Sequence, residues 1–121
     1  MHVFKHFPLS GYEKLLRSQL KGETYIYFAS FVGGYLYQGV TWSEFPDSIQ
    51  RMIMVPWPET DEALLKELIT LKNKNDWKFN EDFIDKHSGW GLSEVRLKLV
   101  FQWLIEGLIE NLTNVHNHEV K

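Results

Sequence analysis

Five histidines are the first residues whose chemistry asks for a role: His2 and His6, then His87, then His116 and His118. An imidazole can ligate a transition metal or carry a proton near neutral pH. A metal needs several such groups at fixed spacing, and the chain has neither a His-Glu-x-x-His pattern nor a calcium loop. It also has no cysteine, which excludes disulfides, thiolate catalysis and cysteine-bound zinc. His116 and His118 read as two solvated tail residues, so no metal and no cofactor are expected. Asp82, Asp85 and His87 lie close together, and a carboxylate can orient an imidazole for proton transfer. Nothing in the sequence sets a nucleophile or an oxyanion hole beside them. The trio therefore reads as charge at a helix end, and no enzymatic activity is expected. Gly33-Gly34 lacks the spacing and the lysine of a phosphate loop, and Asn111-Leu-Thr113 fits a glycosylation acceptor with no export signal to support it.

Composition narrows the remaining classes. With 121 residues there is room for one domain and one core. Aromatics make up 15% of the chain and net charge is only −3, so a disordered chain is not expected. The longest apolar stretch, Tyr25 to Tyr37, is interrupted by Ser30, Gly33 and Gly34 and falls short of the roughly 20 residues of a membrane span. No secretory signal is legible in residues 1–22. The expectation is a cytoplasmic protein with no membrane partner. Residues 1–22 carry Lys5, Lys14, Arg17 and Lys21 against Glu13. Residues 41–70 carry Glu44, Asp47, Glu59, Asp61, Glu62 and Glu67 against Arg51 and Lys66. An acidic middle disfavours nucleic acid, which needs a basic stripe, and suits a basic protein partner.

The elements that would position these groups read as helices. Ser10 and Glu13 have capping-box spacing before Tyr12, Leu15, Leu16 and Leu20, so helix one is expected over 10–21 with Gly22 as its stop. Residues 23–38 are apolar on nearly all sides and predict a buried central helix. Gly33, Gly34 and Tyr35 are assigned to helix packing there, because two helical glycines cost on the order of 1 kcal/mol each and a close crossing would offset that. Ser43 is expected to cap a third helix, Thr60 a fourth and Asn80 a short fifth reaching Lys86, with Pro56-Trp57-Pro58 as a rigid connector. From Ser93 onward, Leu97, Val100, Phe101, Leu104, Leu108 and Leu112 share one side of a helix. Glu94, Lys98, Gln102, Glu106 and Glu110 share the other. The predicted fold is all-α: a single-domain bundle of five to six helices with a buried centre and a long C-terminal amphipathic helix. Residues 1–9 are expected as an extended arm and 114–121 as a frayed tail.

One segment carries a family resemblance. Phe28-Ala-Ser-Phe31-Val-Gly33-Gly34-Tyr35-Leu36-Tyr37-Gln38, followed by Trp42, resembles a signature of the small helical immunity proteins of contact-dependent growth inhibition systems. The order downstream is similar too: a Glu- and Leu-rich helix over 60–72, a short element with glycine, then Trp103-Leu104. In the family an acidic residue directly follows the glutamine, whereas here Gly39-Val40-Thr41 intervene before Trp42. The resemblance implies a bacterial protein that binds a cognate toxin domain, commonly a nuclease, and covers its active or substrate-binding site.

The expected contact face is Glu44, Asp47, Trp57, Glu59, Asp61 and Glu62, held on the Pro-Trp-Pro connector of a monomer or weak dimer. Rigid aromatic anchors with charge around them suit such a face. Two other classes stay open. A small regulatory or phage-encoded adaptor would use the basic first helix (Lys14, Arg17, Lys21), and a small enzyme would use Asp85 and His87.

Overall fold

Six α-helices and one 3-10 turn make up most of the described chain, and among the described residues there is no strand. The computed structural model describes the backbone of residues 8–36, 40–54 and 58–120, and the side chains of 13–36, 40–51 and 60–114. The helices are α1 (Pro8–Gln19), α2 (Ile26–Tyr35), α3 (Phe45–Met54, entered through the 3-10 turn Trp42–Glu44), α4 (Pro58–Lys74), α5 (Trp77–Ser88) and α6 (Glu94–Val120). The expected all-α bundle is what the chain forms.

α2 is the buried centre. Ile26, Tyr27, Phe28, Ala29, Phe31 and Val32 are all enclosed, as its apolar circumference requires. α1, α3, α4 and α5 all contact it, and α3, α4 and α5 also pack on α6. A ladder of rings joins three of these helices. Phe28 of α2 stacks on Phe83 of α5 at 5.0 Å and meets Phe101 of α6 edge-on at 5.4 Å. Phe101 meets Trp77 edge-on at 5.2 Å. Offset and edge-to-face pairs of this kind add about 0.5–1.5 kcal/mol each beyond the area they bury.

α2 begins without a cap of its own, since Tyr25 offers no side-chain acceptor. The acceptor comes from α4. Glu67 Oε1 takes the Phe28 N–H at 2.8 Å and Oε2 takes the Tyr27 N–H at 3.3 Å. These are the two backbone donors that a capping residue usually satisfies, and they lie at the positive end of the helix dipole. Burial pushes the Glu67 carboxyl up to about 7, against the pull of those two N–H groups. Glu67 therefore belongs to the interior and not to an acidic exterior.

Several expected boundaries move, each for a local reason. α1 starts at Pro8 and α4 at Pro58, because a proline in the first turn lacks only an N–H that would have no helical partner. Pro58 thus opens a helix rather than extending a connector, and Thr60 lies inside the first turn. α2 is shorter than 23–38, since Glu23 is drawn to the far end of α5 (below). The 3-10 turn is capped by Thr41 rather than Ser43: the Thr41 N–H and hydroxyl donate to Glu44 Oε1 at 2.8 and 3.0 Å. α5 begins three residues before Asn80, capped by Asp76, whose Oδ1 accepts from the Phe79 N–H at 3.1 Å. It ends at Gly89, whose left-handed backbone (φ 81°) lets its N–H reach the Asp85 carbonyl. Ser93 does cap α6, its hydroxyl accepting from the Arg96 N–H at 3.3 Å. No glycine or proline follows Gly107, and the α6 backbone continues as helix to Val120 through the expected tail. Of the expected arm, 1–7 lies outside the described residues and Pro8 and Leu9 are helical.

Gly33 and Gly34 do not mark a close crossing. A Cβ on Gly33 would meet the His87 carbonyl oxygen at an ordinary 3.6 Å, and one on Gly34 would meet nothing within 4 Å. The pair sits in the last turn of α2, where a weak helix former costs least. Tyr35 stacks on Phe31 of its own helix at 5.7 Å.

Two stability predictions follow from these interiors. Glu67 binds a proton more tightly folded (about 7) than unfolded (4.5), so the stability it contributes is complete below about pH 4.5 and is lost as pH rises through 7. Glu67→Gln should match the wild-type thermal midpoint near pH 5 and exceed it increasingly toward pH 8. Glu67→Ala, which removes the cap, should lie below wild type by about 1 kcal/mol at low pH. Asn80, fully enclosed with neither amide atom hydrogen-bonded, carries an uncompensated desolvation cost. Asn80→Leu should raise the midpoint in a thermal melt, and a fall of several degrees would contradict that.

Candidate functional site

The sequence singled out an imidazole with two carboxylates, and the fold separates them. Asp82 accepts from Lys78 at 3.0 Å on the exposed side of α5, and Asp85 is exposed. His87 turns inward onto the Phe83 ring, 4.6 Å between centroids, and its Nε2 lies 3.0 Å from Glu23 Oε2. Lys86 reaches the same oxygen at 3.2 Å. Burial works to raise the Glu23 carboxyl, but the hydrogen bonds from His87 and Lys86 outweigh it and hold the group below its usual range. The pair is largely buried and ties the α1–α2 connection to the end of α5. Its geometry is that of a structural clamp. Among the described residues, no group of three or more His, Asp or Glu side chains could hold a metal ion.

The residues expected to form one acidic face differ in exposure. Glu44 is exposed, with its carboxyl held below the usual range by the backbone N–H and hydroxyl of Thr41. Asp47, in the first turn of α3, and Glu62, in α4, are exposed. Asp61 is not available at the surface: it is 3% exposed, and the Asn111 amide of α6 donates to its Oδ2 at 3.4 Å. Burial pushes its carboxyl up to about 6, the Asn111 bond opposing. Trp57 and the Glu59 side chain lie outside the described residues. The basic first helix is partly neutralised, since Arg17 pairs with Glu13 at 2.8 Å.

The four described tryptophans sort into two groups. Trp77 joins the core, whereas Trp42, Trp90 and Trp103 are half-buried. Trp42 and Trp90 pack on Phe45, which is fully enclosed, and Trp103 packs on Trp42. Trp42 lies 5.0 Å from Phe45 and 5.6 Å from Trp103, and Trp90 meets Phe45 edge-on at 5.0 Å. Arg96 lays its guanidinium over the Trp42 ring, 4.6 Å from its centroid. The result is a rigid aromatic platform with one cation, built from the 3-10 turn, the α5–α6 connection and α6. Glu44 and Asp47 lie beside it in sequence, two and five residues after Trp42. From the sequence, Trp103 entered only through the Trp103-Leu104 pair of the family resemblance. It lies one position after Gln102 of the charged file, so Val95, Leu99 and Trp103 form a second file at four-residue spacing.

Two clefts are lined by described residues. One of about 520 Å³ is lined by Lys72, Trp77, Lys98, Phe101, Gln102 and Glu106 among others. Its polar groups already engage one another: Lys98 pairs with Glu94 at 2.9 Å and lies over the Trp77 ring, and Gln102 donates to Glu106. A smaller one, of about 310 Å³, is lined by Tyr25, Lys74, Phe79 and Asn80, with Lys74 donating to the Tyr25 hydroxyl at 3.0 Å. Among the described residues, no helix is long and apolar enough to cross a membrane.

The placement of Asp61 separates two neighbouring acids by experiment. Asp61→Lys sets a cation where Asn111 expects an acceptor and should cost about 3 kcal/mol or more in denaturant unfolding. Glu62→Lys should stay within about 0.5 kcal/mol of wild type. Equal effects would contradict the burial of Asp61.

Comparison of the chain with protein-family models, curated proteins and solved structures gave no match.

Proposed function

We propose that this protein is a binding inhibitor of the immunity type, which neutralises a cognate toxin domain by covering its active or substrate-binding site. The observation that carries the reading is the half-buried platform of Trp42, Trp90 and Trp103, the first two seated on the enclosed Phe45 and the third on Trp42. Tryptophan and arginine dominate the energetics of protein interfaces, and they do so most when held rigid before binding. Here ring contacts to Phe45 hold Trp42 and Trp90, Trp103 lies against Trp42, and Arg96 lies over the Trp42 ring. The segment resembling immunity proteins ends at Trp42 and so leads directly into the platform.

Exposed acids supply the second half of the reading. Glu44 and Asp47 beside the platform, and Glu62 at the start of α4, would attract a nuclease domain with a basic cleft and speed its capture. Such charges at a rim act mainly on the rate of association, while the buried rings act on dissociation.

The test is a toxin domain encoded immediately upstream of this chain, co-expressed with it. Co-purification and restored growth are expected. In stopped-flow binding, Glu44→Gln (which keeps an acceptor for Thr41) combined with Asp47→Lys and Glu62→Lys should slow association about tenfold at low salt, with the difference shrinking as salt rises. Trp42→Ala should instead speed dissociation. No complex and no protection of growth would overturn the proposal.

A further inference from the structure

The smaller cleft lies between the start of α2, the end of α4 and the start of α5. Its volume of about 310 Å³ falls at the lower end of the roughly 300–1,000 Å³ that small-molecule sites span. Leu71 and Asn80, both enclosed, form its floor, and Thr24, Lys74, Asp76 and Phe79, all exposed, form its rim. The half-buried Tyr25 makes a wall, with the Phe79 ring edge-on to it at 6.1 Å.

The floor carries a polar group that the fold does not use. Asn80 is 0% exposed, and neither Oδ1 nor Nδ2 of its amide meets a hydrogen-bond partner among the described residues. Its backbone N–H is spent on the Asp76 carbonyl at 3.2 Å, as the helix requires, but the side chain bonds to nothing around it. Buried amides are normally paired, and an orphan one calls for an explanation. A leucine would fill the same place without leaving a donor and an acceptor unmet. The cleft is the side from which a partner for that amide can arrive.

We propose that this cleft binds an uncharged purine nucleoside of the adenosine type. An amide offers an acceptor beside a donor. Its match is an amino group next to a ring nitrogen, the adenine edge that asparagine pairs through two hydrogen bonds. The Tyr25 and Phe79 rings give flat apolar contact to a flat ligand. Charge on the rim is balanced, Lys74 against Asp76, and Lys74 already donates to the Tyr25 hydroxyl at 3.0 Å, so the lining selects a neutral molecule. The Thr24 hydroxyl and the Asp76 carboxylate suit the hydroxyls of a sugar. Because the amide atoms are closed to water, entry needs a turn of the Phe79 ring, which at 41% exposure belongs to the class of side chains that change rotamer fast. None of these residues belongs to the tryptophan platform, so the site stands independently of the proposed function.

Titration of the full chain with adenosine, followed by the amide signals in nuclear magnetic resonance, tests this. Saturable shifts should appear at Thr24, Tyr25, Phe79 and the side-chain amide of Asn80, with a dissociation constant on the order of 0.1–1 mM. The analogue whose two amino hydrogens are replaced by methyl groups has lost the donor and should bind the wild type about tenfold more weakly. Asn80→Leu should weaken adenosine to a similar degree while raising the thermal midpoint, which separates loss of the site from loss of the fold. No saturable shift at several millimolar adenosine, as an amide satisfied by water alone would give, overturns the proposal. So does equal binding of the two nucleosides, or binding that Asn80→Leu leaves unchanged.

Discussion

A carboxylate from one helix closing the open end of another is the contact on which this fold turns. α2 is apolar almost all round, so its place is the interior, where bare backbone N–H groups at its start would go unsatisfied. Tyr25, at that start, makes no side-chain cap. Glu67 serves from α4, 39 positions away from Phe28 in sequence, and thereby fixes α4 against α2 in both rotation and height. That acceptance also explains why a carboxylate is tolerated there despite the burial that pushes its proton affinity up. With α2 and α4 set, Phe28 is aligned to meet Phe83 and Phe101, and the ring ladder draws α5 and α6 into place.

The same economy of contacts decides which aromatic and acidic residues are left for function. Trp77 closes the ladder and is absorbed by it, whereas Trp42 and Trp90 rest on Phe45, and Trp103 on Trp42, each only partly buried. Of the acids in the middle of the chain, Glu67 caps α2, Asp61 is enclosed against Asn111, and Glu44 orders the 3-10 turn. The exterior charge is therefore smaller than a count of residues suggests, and the tryptophan platform becomes the more specific feature of the surface.

Periodicity made much of this architecture legible from the sequence. The apolar circumference of α2, the inward stripe of α6 and its Ser93 cap stand where residue spacing places them, because one-sided burial and local capping are properties of neighbouring residues. Partners far apart in sequence were not legible. The stripe pattern around Asp61 and Glu67 marks both as polar positions of an exposed helix, and only the packing of α6 and α2 shows them facing inward. His87 read as a neighbour of Asp85, yet its partner is Glu23, brought across by the turn at the start of α2. The glycine pair suggested a crossing that the ends of two helices do not make. Trp103 was hidden beside a charged file one residue away, and only its contact with Trp42 marks it as part of a surface.

The account thus places the working part of this protein on a preformed ring surface rather than in an enclosed chemical site. Footprinting by hydroxyl radicals, on the chain alone and mixed with a toxin domain that co-purifies with it, tests that most directly. Oxidation of Trp42, Trp90 and Trp103 should fall on mixing while that of the enclosed Trp77 stays low in both samples. Unchanged oxidation of those three rings within a stable complex, or protection confined to the α5 side of the molecule, would contradict it.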